Sequence, residues 1–225
     1  MSVTHKHEPA KKEPLVKAQD FWEKNNKSII IVLSAVILLA GGYLVYKYWF
    51  KLPENEKAVE AIAKAQQYFA SDSLQLALNG DGKNMGFLKV ISKYGSTPSG
   101  NLAKLYAGET YLHLGDFNNA IKYLKDFNPN GSLQTQALVY GLLGDAYSEL
   151  KKNEEAVEQY KKASTTFEKN QVMSSEYLFR AASLYELMGK NKEAIELFQQ
   201  LKDKFPRTER GFTAEKYLGK LGATE

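Results

Sequence analysis

Three segments of the chain, residues 102–127, 137–163 and 175–201, repeat the same order of apolar, small and polar residues. The recurring residues are the alanines Ala120, Ala156 and Ala194 and the tyrosines Tyr111, Tyr147 and Tyr185. Both series step by 36 and then by 38 residues. Such a period is typical of units that cannot bury their apolar face alone and therefore stack on one another.

Small residues recur where two helices of each segment would cross. They are Gly108, Gly144 and Ala182 in the first helices and Ala120, Ala156, Ala163 and Ala194 in the second. A small side chain at the crossing lets two antiparallel helices approach closely. The pattern resembles the tetratricopeptide repeat, whose period is about 34 residues. That resemblance implies an all-α fold, a solenoid of stacked helix pairs.

The regions on either side of the repeats also have helical apolar spacing. Residues 56–69 and 87–94 predict two helices that resemble a degenerate first repeat, and residues 208–221 predict a helix that caps the last repeat. The predicted organisation is a tail with a short amphipathic helix (1–27), a transmembrane helix (28–50), a helical linker with the degenerate repeat (51–100), three repeats (101–206) and a capping helix with the C terminus (207–225).

Residues 28–50 form an apolar run in which Lys47 is the only charged residue. As a helix the run spans roughly 34 Å, against a hydrocarbon core of about 30 Å. The alternative is a cleaved signal peptide, but aromatic residues follow the run instead of a small-residue cleavage site. We therefore predict one transmembrane helix in contact with lipid. Its predicted helix-packing face consists of Ser34, Leu38, Gly41 and Gly42.

The orientation is predicted from the positive charges next to the apolar run. Six lysines precede it, namely Lys6, Lys11, Lys12, Lys17, Lys24 and Lys27. A short basic tail stays in the cytoplasm, whereas a long C-terminal domain crosses largely regardless of charge. The prediction is a single-pass protein of the bacterial inner membrane with its repeats in the periplasm. Inverted topology would instead make the chain a cytosol-facing receptor.

The sequence argues against catalysis and against nucleic-acid binding. There is no cysteine, and His113 is the only histidine beyond residue 7, so a histidine triad or a histidine metal cluster cannot be assembled. Residues 51–225 contain 23 Lys and Arg against 22 Asp and Glu, a net charge of +1, whereas nucleic-acid binding needs a concentrated basic face. We expect no enzyme activity, no cofactor, no metal and no small-molecule substrate.

The resemblance to tetratricopeptide repeats implies that the first helices line a concave groove. Carried over by position, the groove residues are Tyr106, Glu109, His113, Leu142, Asp145, Glu149, Phe179, Arg180, Ser183 and Glu186. Members that capture a C-terminal carboxylate use a basic and asparagine clamp, and only Arg180 agrees with it here. The predicted ligand is therefore an extended or helical polypeptide without a free C terminus.

The whole chain also resembles the YfgM-like family of ancillary Sec translocon subunits. The run FWEKNNKSIIIVLSAVILLAGGYLVYKYWFK followed directly by repeats supports this resemblance, and AQQYFASDSLQLALNGDGKNMGFLKVISKYG is similar to its Bacteroidota version. The resemblance implies association with SecYEG and with a PpiD-like chaperone, to assist translocated proteins. An envelope or outer-membrane assembly scaffold without Sec contact is the alternative.

A short motif predicts a modification. Asp72-Ser73-Leu74 resembles the aspartate, serine or threonine, aliphatic pattern of O-glycosylated periplasmic proteins in Bacteroidota, so Ser73 is the predicted O-glycosylation site.

Overall fold

The computed structural model describes residues 13–223, with side chains from Val16 onward. The chain divides into two units, Met1–Pro53 and Glu54–Glu225. Lys6, Lys11 and Lys12, on which the predicted orientation partly depends, lie outside the described residues.

The first unit contains α1 (Glu13–Val45) and a π-helical turn (Tyr46–Lys51). One stretch of this region is long and apolar enough to cross a membrane, by length and composition. Its apolar side chains are exposed, including Leu38 at 75%, as lipid-facing side chains are. A Cβ atom built on Gly41 or Gly42 would meet nothing within 4 Å, so the helix-packing face stays a prediction.

The second unit is built from helices joined by short turns. The helices are α2 (Leu52–Ala70), α3 (Leu74–Asn79), α4 (Phe87–Tyr94), α5 (Pro98–His113), α6 (Phe117–Asp126), α7 (Leu133–Glu149), α8 (Asn153–Thr166), α9 (Gln171–Leu187), α10 (Asn191–Lys204) and α11 (Glu209–Lys220). Consecutive helices pack against each other from α4 to α11, and the described part of the chain contains no strand. The predicted all-α solenoid is confirmed.

The helix pairs approach closely at the small residues that the sequence analysis singled out. A Cβ atom on Gly108 would lie 2.6 Å from Leu124 Cγ, and one on Gly144 would lie 2.5 Å from the Tyr160 ring. Both distances are below any real contact, so a larger residue would push α5 from α6 or α7 from α8. Gly141, which was not predicted, has the same role against Tyr177 of α9.

Two aromatic clusters of nearly identical geometry lie at the two ends of the solenoid. The N-terminal triad consists of Phe69, Phe87 and Tyr106, and the C-terminal triad of Phe179, Phe198 and Tyr217. Each triad joins three helices, α2, α4 and α5 in the first case and α9, α10 and α11 in the second. The helices α2 and α4 therefore pack with α5 in the way that α9 and α10 pack with α11, as a helix pair followed by the next first helix.

The N termini of α5 and α11 share one local structure. Thr97 and Thr208 each accept a hydrogen bond from a glycine amide three residues on, at 3.0 and 3.1 Å. These glycines, Gly100 and Gly211, have no room for a Cβ atom because the carbonyls of Tyr94 and Phe205 lie against them. The cap fixes where each helix begins and so brings Tyr106 and Tyr217 to equivalent places in the triads.

Candidate functional site

The ten predicted groove residues lie on three first helices, α5, α7 and α9. The structure brings Asp145 and Arg180 into direct contact, and it places Phe179, Arg180 and Ser183 around one cleft. Glu186 and Glu149 do not line this cleft: Glu186 pairs with Lys220 of α11, and Glu149 is exposed. Leu142, Tyr106, Glu109 and His113 belong to the N-terminal half of the surface.

A chain of charged hydrogen bonds runs across α7, α9 and α11. The Arg180 guanidinium donates to Asp145 Oδ1 at 2.6 Å and to Glu176 Oε1 at 2.9 Å. Arg210 donates to the other oxygen of Glu176 at 2.6 Å. The Tyr160 hydroxyl of α8 donates to Asp145 at 2.7 Å. The bonds from Arg180 and Arg210 to the carboxylates have two charged partners and are short and directional, so they fix the relative position of α7, α9 and α11.

The network changes the acidity of its members. Burial alone would raise the pKa of Glu176, but the bonds from Arg180 and Arg210 outweigh it and hold this pKa below the ordinary value. Burial, and next the negative charge of Asp145, raises the pKa of the Tyr160 hydroxyl. At neutral pH Glu176 is therefore ionised and Tyr160 is protonated.

Beside the network lies a cleft of about 270 Å³, lined by Ser148, Tyr160, Glu176, Phe179, Arg180, Ser183, Leu184, Leu187 and Arg210. One wall is apolar, and Leu187 on it is 78% exposed. The Ser183 Oγ atom is shielded from solvent and has no hydrogen-bond partner among the described residues. An exposed leucine next to guanidinium groups and a hydroxyl without a partner suits a peptide that supplies both an apolar side chain and polar backbone groups.

The N-terminal half of the surface is built differently. Tyr106 stacks on Phe87 with ring centroids 5.3 Å apart, and His113 meets the edge of Phe69 at 5.9 Å. Glu109, half-buried on the same helix, forms no salt bridge with any described residue. Burial raises the pKa of Glu109, and the nearby His113 partly opposes this.

Sequence reasoning missed three residues of this surface, Phe69, Leu187 and Arg210. A signal for Arg210 exists: Thr-x-x-Gly-x-x-Ala-x-x-Tyr occurs from Thr97 to Tyr106 and again from Thr208 to Tyr217. This match predicts that α11 is equivalent to a first helix, whose exposed face continues the groove, and not only a cap. Phe69 has no comparable signal, because α2 resembles the other first helices too little.

Comparisons with known proteins agree with this architecture. The family model of the tetratricopeptide repeat-like domain matches residues 19–139, and two models of the tetratricopeptide repeat match residues 137–170 and 176–208. No curated protein matches the chain.

Solved structures share the fold. The chain is similar to the crystal structure of MamA protein, at 20% identity and a TM-score of 0.53, over 75% of this chain and 84% of that one. It is also similar to nearly identical TPR-like repeats of a kinesin light chain from Podosopora anserina, at 16% identity and a TM-score of 0.56, over 74% and 86% of the two chains. Helix packing and family models lead to the same conclusion, that the chain belongs to the tetratricopeptide repeat-like domain family.

Proposed function

We propose that this chain is a membrane-anchored adaptor that holds partner proteins in the concave surface of its repeats. Tetratricopeptide repeats suggest protein–protein interaction, and the single apolar stretch in α1 is a candidate membrane span. The observation that carries the proposal is the cleft between α7, α9 and α11, where exposed Leu187 borders Arg180 and Ser183. Such a surface suits a polypeptide partner and offers no catalytic pair.

The finer proposal concerns the partner and the compartment. The apolar run followed directly by repeats is similar to ancillary Sec translocon subunits, so the partners in this proposal are SecYEG and a PpiD-like chaperone. The repeats then lie in the periplasm, with the N terminus in the cytoplasm. The groove residues are the ten predicted ones, extended by Arg210 and Leu187.

Photo-crosslinking in native membranes tests this proposal. A photoreactive residue replaces Leu187 in one variant and Val172 in the matched control, because Val172 lies on the same helix, is 75% exposed and does not line the cleft. We expect adducts with SecY or with a PpiD-like chaperone from position 187 at several times the yield from position 172. Adducts with envelope assembly proteins alone would favour the scaffold alternative, and equal yields from both positions would overturn the role of the groove.

Leu187→Glu tests the same surface without a crosslinker. The exposed side chain leaves the fold intact, so far-UV circular dichroism should match that of the wild type. Copurification of the translocon should fall with Leu187→Glu and persist with Val172→Glu. Protease treatment of intact spheroplasts tests the topology, since periplasmic repeats should be degraded and cytosolic repeats protected.

O-glycosylation of the proposed site, Ser73, can be tested by intact mass. Ser73 precedes α3 and is half-buried, and Asp72 before it has a left-handed backbone with φ of 55°. The intact mass of the protein from its native cell should exceed that of the bare polypeptide, and Ser73→Ala should remove the excess. A native mass equal to the polypeptide mass would exclude the modification.

A further inference from the structure

A second cleft lies between α6 and α8. The α7 residues that line it are on a different face of that helix from the predicted residues of the concave surface. We propose that this cleft binds an acidic and apolar segment of a partner protein, with an apolar side chain inserted between α6 and α8. The cleft exists because α6 is short: it has 10 residues, whereas α8 and α10 have 14 each. After Asp126 the chain leaves the helix and turns through Asn130 and Gly131, both with left-handed backbone.

The missing last turn of α6 leaves part of α7 uncovered. The resulting cleft has a volume of about 420 Å³ and is lined by Leu124, Lys125, Phe127, Pro129, Gln136, Val139, Tyr140, Leu143, Gln159 and Lys162. Leu124, Val139 and Leu143 form its apolar floor and belong to one hydrophobic cluster. Phe127 and Tyr140 are half-buried at its edge. A floor and edge of this composition accommodate one leucine or phenylalanine side chain.

The charges at the rim of the cleft favour a partner segment of negative charge. Lys125 and Lys162 are the charged residues that line the cleft, and no carboxylate lines it. Lys125 forms no salt bridge with any residue in the described range, and its ammonium group lies 5.5 Å from the centre of the Tyr147 ring. Lys162 pairs with Glu158 one turn earlier on α8, and both side chains are about half exposed. An exposed pair of this kind contributes little to stability, so a partner carboxylate can replace it.

The neighbouring cleft along α8 provides a contrast. It is lined by Glu154, Val157, Glu158, Lys161, Lys162, Thr165 and Tyr185, so two carboxylates oppose its two lysines. Glu154 of this cleft also forms an ion pair with Lys190. An acidic segment is therefore favoured at the cleft beside α6 and not at this neighbouring one.

Peptide binding to the full chain in lipid nanodiscs tests the inference. The probe is a fluorescent peptide with a central phenylalanine between glutamates. Two comparison peptides replace the phenylalanine with alanine or the glutamates with lysines. We expect saturable binding of the first peptide, weakened by added salt because exposed charges are screened, and at least about tenfold weaker binding of the other two.

Matched variants locate the bound peptide. Lys125→Glu with Lys162→Glu should weaken binding about tenfold. The control is Lys169→Glu with Lys192→Glu, which makes the same charge change at exposed positions outside the cleft. Gln159→Trp should also abolish binding, because it fills the cleft without a charge change. Circular dichroism confirms that each variant is folded.

Two results would overturn the inference. The first is binding that is unchanged in both the charge-reversal and the Gln159→Trp variants. The second is equal loss in the Lys169 and Lys192 control, which would mean attraction to net charge alone. Leu187→Glu should leave peptide binding intact, so this experiment is independent of the proposed role of the concave groove.

Discussion

The two aromatic triads have the same geometry but different surroundings. In the N-terminal triad, Phe87 and Tyr106 stack at 5.3 Å with Phe69 edge-on at 5.7 Å from Tyr106; in the C-terminal triad, Phe198 and Tyr217 stack at 4.8 Å with Phe179 edge-on at 5.2 Å from Tyr217. The Arg210 guanidinium lies 4.5 Å from the centre of the Phe179 ring, whereas Phe69 contacts His113. The repeat core is therefore alike at both ends, and the groove surface differs.

The aromatic triads hold the solenoid together, whereas the surfaces beside them are exposed and differ between the two ends. The triads join a helix pair to the next helix, so their rings are part of the core. The surfaces above them are a fixed salt-bridge network at the C-terminal end and an aromatic surface with a half-buried glutamate at the N-terminal end. The C-terminal half of the surface is therefore held by ion pairs between helices.

Removal of Phe87 or Phe198, the ring that stacks on the tyrosine of each triad, should cause the largest loss of stability. The loss should be similar at both ends, because the two triads have the same geometry. Phe87 and Phe198 are both fully buried. Phe87→Ala and Phe198→Ala should each lower the free energy of unfolding by about 3–5 kcal/mol, through lost burial and the cavity left behind. Chemical denaturation followed by circular dichroism measures this. Phe212→Ala is the control, since Phe212 is 71% exposed and should change stability by less than about 0.5 kcal/mol. A small effect at Phe87 alone would show that α2 and α4 are not a true repeat.

The repeat architecture was predictable because its signals are local and periodic. Ala120, Ala156 and Ala194 recur with the helix crossings, and a small residue is required there whatever surrounds it. The network around Arg180 was only partly predictable. Arg180 binds Glu176 and Asp145, which are 4 and 35 residues away, and Arg210 binds Glu176 from 34 residues away. Only the packing of α7 and α11 near α9 brings the distant partners together. The cleft beside α6 depends on where one helix ends, which is the least predictable property of a helix.

Loss of the central guanidinium should affect only the C-terminal half. Arg180→Met keeps the apolar part of the side chain but leaves Asp145 and Glu176 without this partner. We expect a loss of about 1–2 kcal/mol, less than for a fully buried pair because these side chains are 30–40% exposed. His113→Ala is the counterpart at the N-terminal end, and it should cost less than about 0.5 kcal/mol. Equal effects of the two substitutions would contradict the proposed difference between the halves.

Acid should weaken the C-terminal half through Glu176. The pKa of Glu176 in the folded protein is below its unfolded value of about 4.3. The stabilisation is therefore complete above that value and is lost as the pH falls further, through the folded pKa. Glu176→Gln should lower the free energy of unfolding by about 0.5–1 kcal/mol at pH 7, with a difference that shrinks below pH ~4. Denaturation curves across this range test it, and a constant difference would show that ionisation of Glu176 is not the cause.

The smallest expected effect has the opposite sign and lies in the N-terminal half. Burial raises the pKa of Glu109 above its unfolded value, so the folded state is favoured while Glu109 is protonated and loses that advantage as the pH rises through the folded pKa. Glu109→Gln removes the ionisation and should stabilise the protein by a few tenths of a kcal/mol at pH 7, with no gain near pH 3. Glu149→Gln, at an exposed position on α7 in the same predicted surface, should change nothing. If Glu109→Gln destabilises the protein at pH 7, Glu109 has a stabilising contact in the folded state. The two halves of the groove would then be alike in being held by charge.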